Sequence, residues 1–471
     1  MAERLVVIGG DAAGMSAAAQ ARRARTREQL TIVALERGRY TSYSACGIPY
    51  WIAGDVAAAE DLIARSPRQH SERGIDVRLR TEAVELDLDR RQVVARLLET
   101  GGTERVDFDQ LVIATGAVPI RPPLPGVDAR GVHWVHTVPD GHAVLASLAG
   151  LVGPDPGRPR RAVVVGGGYI GIEMAEAMHR RGLATTLVDR SAEPMGTLDP
   201  DMGARLRRAM VAMGIEVITG AGVEAVETES TPTGDRATGV RADRGMLPAD
   251  LVVFGLGVRP NTGLARAAGL ELGASGGIRT DQRMRVPGAD GVWAGGDCVE
   301  VYNRISERFQ HVALGTHANK HGRVIGTNLT GGDAVFPGVV GTAVSRVCDL
   351  EVARTGLREA EARQAGFDVA CCVVEATTRS GYFPGSAAIT VKLLADRPTG
   401  RLLGCQLLGG DGTAKRIDTV ATALWTRLTV ADLVSLDLAY APPFGPVWDP
   451  VQLAARRLLD EGLGRSSVSD S

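Results

Sequence analysis

Short, nearly continuous apolar runs ending in glycine recur along the chain, and two of them open the same local pattern. Residues 5–9 read as a strand, followed by a glycine turn, an alanine-rich helical stretch over 15–25, and a second strand over 30–35 that ends at Glu36. An unbroken apolar run of this length suits a strand buried on both faces, the environment of a parallel sheet. Strand, glycine turn, helix and strand with an acid at its tip make one β–α–β unit. The same order returns at 162–165, 166–171, 172–181 and 185–189. Residues 111–116 and 251–257 are further apolar strands ending in glycine, each suited to a buried parallel strand whose C-terminal end faces a ligand crevice.

After about residue 335 the pattern changes. Strand-like segments at 370–376 and 386–395, then a helix-like one at 413–427, predict a third unit of α+β type. The Gly/Pro/Arg-rich stretch 153–159 reads as a surface connection, and the Gly/Ser-rich end, 461–471, as a flexible tail.

Composition narrows the function classes. A chain of 471 residues with 44% apolar content can bury several cores. Lys+Arg 53 against Asp+Glu 55 leaves −2, which argues against a nucleic-acid or anionic-membrane partner. Lysine occurs only at Lys320, Lys392 and Lys415, so no lysine assists chemistry earlier in the chain. The apolar run Val6-Val7-Ile8 is too short for a signal peptide or membrane span. Six cysteines, with no Cys-x-x-Cys and no His/Cys cluster at ligand spacing, predict neither a disulfide framework nor a metal site. A reducing, cytoplasmic setting is expected.

The second glycine loop is complete: Gly166-Gly167-Gly168-Tyr169-Ile170-Gly171, with Asp189 at the next strand end. Glycines permit the tight turn and close pyrophosphate approach, the helix N-terminus supplies N–H donors, and Asp189 is placed for an adenosine ribose. The first loop, Gly9-Gly10-Asp11-Ala12-Ala13-Gly14, carries Asp11 where the middle glycine would stand. Its side chain must point away from the phosphates, or the ligand sits differently. Either loop read alone is also compatible with a glycine turn that only packs helix on strand. Cys46 follows in Ser42-Tyr43-Ser44-Ala45-Cys46-Gly47-Ile48-Pro49-Tyr50. A lone thiol beside two nucleotide sites suggests electrons passing from a nicotinamide through a flavin to sulfur, against the plainer reading of a small buried apolar residue.

Thr280, Val286 and the run Gly291-Val292-Trp293-Ala294-Gly295-Gly296-Asp297, taken with Ala114-Thr115-Gly116, complete a larger set. In order and spacing these motifs resemble the FAD-containing pyridine nucleotide–disulfide oxidoreductases across nearly the whole chain. The resemblance implies an α/β fold with two Rossmann-like dinucleotide-binding domains, glutathione reductase-like, plus a C-terminal α+β dimerisation domain. It implies an FAD domain in two segments, 1–118 and 251–332, an NAD(P) domain over 119–250, an interface domain over 333–460, and a homodimer. FAD would be held by Gly9, Gly14, Glu36, Ser42, Ala114, Thr115, Gly116, Asp297 and Leu314. NADH or NADPH would be held by Gly166, Gly168, Tyr169, Ile170, Gly171, Asp189 and Gly257, with Tyr169 as a gate over the flavin.

Within the family, 42–50 is similar to the single-cysteine branch: coenzyme A-disulfide reductases, NADH oxidases and NADH peroxidases. Tyr50 stands where a second cysteine would be, so Cys46 must alternate between thiolate and a mixed disulfide or sulfenic acid. The resemblance puts Cys46 at a helix N-terminus, where the dipole would lower its pKa. The oxidases and peroxidases carry a histidine in the first glycine loop where this chain has Ala12, and the chain has no histidine after His321 to protonate a leaving thiol. Segments 439–444 and 381–384 resemble the two tyrosine segments of coenzyme A-disulfide reductases, implying Tyr440 and Tyr382 as phenols brought to the partner's cysteine, with Phe383 replacing a tyrosine. Packing at an interface is the competing role for both.

Residues 311–329 resemble the helix that follows the flavin aspartate, with Ala313 replacing a proline and His311, His317 and His321 expected as polar helix residues. Asp189 favours NADH, while Arg190 could accept a 2′-phosphate. Arg22 and Arg23 are candidates for the phosphates of a coenzyme A-type disulfide or persulfide, the expected small-molecule substrate. The alternatives are an NADH oxidase that uses oxygen and a weakly catalytic NAD(H)-binding redox sensor.

Overall fold

The computed structural model describes residues 2–151 and 160–463. The connection expected at 153–159 therefore lies outside the described residues, as does the tail from residue 464 onward. Among the described residues, three five-stranded sheets organise the fold. The first is parallel, in the order Val292–Ala294, Gln110–Ile113, Glu3–Ile8, Leu30–Glu36, Asp76–Leu79. The second is also parallel, in the order Glu216–Thr219, Ala184–Asp189, Arg161–Val165, Leu251–Phe254, Val132–Trp134. Leu5, Val6 and Val7 in one centre and Val163 and Val164 in the other are buried, as double-sided burial of a parallel sheet requires. The third sheet is antiparallel, running Ala343–Val347, Leu350–Gly356, Leu402–Gly409, Ala388–Asp396, Val369–Thr377.

One expected boundary moves. The resemblance implies a return to the first unit at residue 251, but Leu251–Phe254 pairs with Arg161–Val165 and Val132–Trp134 inside the second sheet. A uniformly apolar strand fits the middle of either parallel sheet, so its composition does not say which one it joins. The return is made by Val258–Pro260, which pairs antiparallel with the outgoing Ala117–Pro119. The sequence reading also passed over two antiparallel meanders, Thr81–Asp87 to Thr103–Asp107 and Val223–Thr231 to Gly245–Pro248. Their outer faces are polar and exposed, which hides the strand pattern.

Helix Gly315–Asn328 lies tightly on helix Ala12–Ala24. A Cβ on Gly322 would stand 2.3 Å from the Ala13 carbonyl oxygen, so only glycine lets the backbones meet. This contact sets the start of the longer helix, capped at Leu314, beside Gly296 and the strand ends of the first sheet. Of the three histidines expected on this helix, His317 and His321 lie on it and His311 does not. His317 and His321 are buried because the helix is covered on both sides, and His321 packs edge-on against Phe336 with centroids 4.3 Å apart. His321 Nδ1 accepts the Gly296 N–H at 3.1 Å, while His311 precedes the helix, its Nε2 2.8 Å from the Asp297 carbonyl oxygen.

The second and third units are joined through a buried cation. Lys392, with only 3% of its side chain exposed, reaches Asp201 at 2.7 Å, Glu359 at 2.6 Å and Asp199 at 3.2 Å. Hydrogen bonds from Lys392 to Asp201 and Glu359, reinforced by the Asp199 charge, outweigh burial and raise its pKa. Gln406 donates to Asp199 at 2.6 Å. Removing one partner of such a cluster leaves the others as uncompensated buried charge. Lys392→Met is expected to destabilise the folded protein by about 3–5 kcal/mol, read as an earlier unfolding transition in urea. An unshifted transition would show that the cluster does not hold these units together.

Candidate active site

Each glycine loop is closed by the acid at the end of its unit's second strand. Glu36 accepts the Gly10 N–H at 2.7 Å and the Gly38 N–H at 2.6 Å. Asp189 accepts the Gly167 N–H, and the Ser191 N–H at 2.6 Å. The last glycine of each loop permits close packing of helix on strand: a Cβ on Gly14 or Gly171 would lie 2.1 or 1.8 Å from the carbonyl oxygen of Gly9 or Gly166. Arg190 is exposed beside Asp189.

The residues expected around the first loop do gather there. Gly9 meets Ala114, and Gly296 meets Ala13 and Ala318. Thr115 Oγ1 donates to the Asn261 carbonyl at 2.6 Å, which ties residues 115–116 to the returning chain. Asp11 sits among acids. Burial first, then the charges of Glu36 and Asp297, push its pKa up to about 7, against the pull of the Tyr43 and Ala12 N–H groups.

Cys46 is carried on a loop hung from the first glycine loop. The Ser42 N–H and Thr41 Oγ1 both donate to the Gly10 carbonyl, at 3.0 and 2.5 Å, and the Ser44 N–H bonds the Leu62 carbonyl at 2.8 Å. The cysteine is exposed in the short turn Ala45–Gly47, just before helix Ile48–Ala53. The expected dipole lowering is not what the surroundings give. Desolvation first, then the carboxylates of Glu173, Asp297 and Asp11, push the thiol up, and a backbone hydrogen bond opposes them. The dipole of the short helix Ile48–Ala53, whose N-cap is Gly47, acts against these charges.

A junction of all three units backs this loop. Helix Tyr169–Arg180, which starts at the second glycine loop, packs on helix Ile48–Ala53. It presents Glu173, whose Oε1 accepts from Ser345 Oγ at 3.0 Å. Burial drives the Glu173 pKa up to about 7 despite that bond, with Glu176 adding to the rise. Arg346, from the third sheet, lies over the Tyr50 ring at 5.8 Å and reaches Asp55 at 3.0 Å, while Arg180 also grips Asp55. Tyr169 is half-buried here, its hydroxyl 3.4 Å from Thr197 Oγ1. Glu173 escaped the sequence reading, although its place one helical turn after Tyr169 puts it on the same face.

Tyr382 and Tyr440 are not brought to Cys46 within the protomer; among the described residues no hydrogen bond links them. They are 78% and 49% exposed, on segments tied together by Ser380 Oγ to Gly445 O at 3.3 Å and by Arg416, which donates to Thr378 O and Phe444 O. Arg22 is corrected as a phosphate candidate. Its guanidinium is spent on the carbonyls of Arg25, Leu30 and Gly74 at 3.0, 2.6 and 3.1 Å. Arg23 is exposed, and with Arg65 and Arg73 forms a patch of mutually raised positive potential that lowers the Arg65 pKa further below what burial alone gives.

The pattern that decides the family is the pair of identically closed loops followed by an antiparallel sheet. Residues 3–322 match the model for pyridine nucleotide-disulphide oxidoreductases, and 342–450 match the dimerisation domain of the same family. The chain belongs to the pyridine nucleotide-disulphide oxidoreductases. Members of this family depend on FAD and NAD(P)H, and the oxidoreductase is similar to several along its length. The NAD(P)H coenzyme A polysulfide/persulfide reductase of Pyrococcus horikoshii is 36% identical over 463 residues, covering 97% of this chain and 99% of the relative. An NADH oxidase of Methanocaldococcus jannaschii is 32% identical, covering 97% and 98%. Among solved structures, the NAD-dependent persulfide reductase from A. fulgidus superposes with a TM-score of 0.92 at 34% identity, covering 97% of this chain and 83% of that one.

The two closed loops, each with no room for a side chain at its last glycine and with no side-chain cap hydrogen bond from its N-cap residue at the helix start, fit the diphosphates of two dinucleotides. Desolvation raises the pKa of the half-buried Asp297, against the pull of His311 and His136, and its carboxyl at the end of the strand Val292–Ala294 fits a hydroxyl-rich neighbour. Glu173 raises the Cys46 pKa by its charge, so Glu173→Gln is expected to lower the pH midpoint of Cys46 alkylation by about half a unit. An unmoved midpoint in iodoacetamide rate profiles would remove Glu173 from the thiol's surroundings.

Proposed function

We propose that the protein is an NAD(P)H-dependent reductase of low-molecular-weight disulfides or persulfides, with a coenzyme A-type disulfide as substrate and Cys46 as the reacting thiol. The observation that carries this reading is an exposed, unpaired Cys46 hung from the first glycine loop, with no second cysteine beside it. In this reading the first loop, with Gly9, Gly14, Glu36, Ser42, residues 114–116, Asp297 and Leu314, holds FAD. The second, with Gly166, Gly168, Tyr169, Ile170, Gly171, Asp189 and Gly257, holds the nicotinamide dinucleotide. FAD supplies two-electron transfer between nicotinamide and sulfur.

Cys46 as thiolate attacks one sulfur of the substrate; a new S–S bond forms and the other sulfur leaves, taking a proton to become a thiol. Two electrons from NAD(P)H and one proton then cleave the mixed disulfide, releasing the second thiol and restoring the thiolate. Glu173, neutral below about pH 7, is a local proton source for the leaving sulfur. Tyr440 and Tyr382, exposed on one tied surface, are assigned to the partner's Cys46 in a homodimer. Arg23, Arg65 and Arg73 supply the positive patch for an anionic carrier. Six free cysteines among the described residues, and no helix among them long and apolar enough to cross a membrane, are compatible with work in the cytoplasm. Similarity to NADH oxidases favours oxygen as an alternative acceptor, against which stands Ala12 in the first loop.

Mixing the NADH-reduced protein with coenzyme A disulfide under anaerobic conditions should reoxidise the flavin and release two thiols per NADH, and Cys46→Ser should abolish this. Flavin that stays reduced until air enters would support the oxidase instead. Tyr440→Phe should slow the disulfide step and spare flavin reduction by NADH; an unaltered disulfide rate would remove the tyrosine.

A pH dependence follows from Asp11. It is neutral below about 7 and anionic above, so raising the pH adds negative charge beside the diphosphate. FAD binding is expected to weaken about threefold to tenfold between pH 6 and 8.5 in the native protein and to stay flat in Asp11→Asn, measured by flavin fluorescence titration. Equal slopes in both proteins would put the pH response elsewhere.

A further inference from the structure

The contacts of Ser42 lead to a residue outside every motif of the sequence. Ser42 has φ 51°, a left-handed conformation that a residue with a side chain seldom adopts unless held there. Its N–H is fixed on the Gly10 carbonyl at 3.0 Å, and its own carbonyl accepts from the Ala64 N–H at 2.8 Å. The remaining tie is to His70, on helix Pro67–Glu72. His70 is fully buried, with Nε2 2.9 Å from Ser42 Oγ. Ser42 Oγ lies 3.5 Å from Thr41 Oγ1, which donates to the Gly10 carbonyl. Imidazole and two hydroxyls thus form a line that ends on the loop closed by Glu36, and Cys46 stands one short turn further along.

The imidazole is kept neutral. Burial, then Arg65 from the preceding segment and Arg73 at the end of its own helix, lower its pKa to about 4. Nδ1 is buried without a partner, so placing the proton on Nε2, as a donor to Ser42 Oγ, avoids burying an unpaired N–H. A neutral donor with this one bond, wedged between arginines, is built to hold geometry and not to exchange protons.

We infer that His70 is a positioning residue for the reactive thiol, locking the left-handed turn at Ser42 that sets where Cys46 stands. The inference rests on the reading of Cys46 as the thiol that carries the substrate. Its test compares the native holoprotein with His70→Phe, which fills the space without a donor, and His70→Gln, whose Nε2 restores one. Amide hydrogen exchange of residues 41–47 should rise about tenfold or more in His70→Phe and stay within about threefold of native in His70→Gln. The kcat for coenzyme A disulfide should fall about tenfold in the Phe variant with KM little changed, and recover in the Gln variant.

A role in overall stability alone would lower the unfolding midpoint without loosening 41–47 selectively. Exchange that is unchanged in His70→Phe, or raised equally by both variants, overturns the inference. Should His70→Phe fail to fold, Ser42→Ala breaks the same bond and must loosen the same segment. If Cys46→Ser retains disulfide turnover, the reading of Cys46 has failed, while the exchange measurement still decides whether His70 holds the turn.

Discussion

The grip of a strand-end carboxylate on a glycine-loop amide is the contact on which the arrangement of this protein depends. Glu36 holds Gly10 at 2.7 Å and Asp189 holds Gly167 in the same manner, so each loop has a fixed shape before any ligand arrives. A charged acceptor on a backbone N–H is among the stronger single hydrogen bonds available to a protein. In the first unit the consequences extend further. Gly10 turns its N–H to Glu36 and its carbonyl to Thr41 and Ser42, and through them it carries the loop with Cys46. The first glycine loop and the loop that presents the thiol are thus one piece.

Electrostatics around the thiol run against simple activation. Asp11, Asp297 and Glu173 surround it, and each is pushed towards its neutral form by burial. A protonated acid there is a hydrogen-bond donor; an ionised one opposes a thiolate. The site therefore couples the charge of sulfur to that of nearby acids, and bound groups that relieve the acids also favour thiolate. Packing reinforces the coupling, because Glu173 sits where helix Tyr169–Arg180, the Cys46 loop and Ser345 of the third sheet converge.

Much of this was legible in the sequence, for a local reason. Glycine loops, apolar parallel strands and the acids at their ends are set by contiguous residues, so both β–α–β units and the unpaired Cys46 could be read directly. Strand Leu251–Phe254 could not be assigned, since its partners lie far away in sequence and its composition suits either sheet. The burial of His317 and His321 was hidden because it comes from helix Ala12–Ala24 and Phe336, brought in by the fold. Arg22 looked free for phosphate only until the carbonyls of Leu30 and Gly74 came beside it. His70 and Glu173 matter through contacts with Ser42 and Ser345, and no spacing rule links those positions.

The central claim is that Cys46 holds the substrate covalently through a single disulfide bond. Intact-mass and peptide mass spectrometry of the oxidised protein after exposure to coenzyme A disulfide tests it most directly. The account predicts one coenzyme A adduct per chain, on the peptide containing Cys46, removed by NADH. An unmodified Cys46, or an adduct confined to another cysteine, would contradict it.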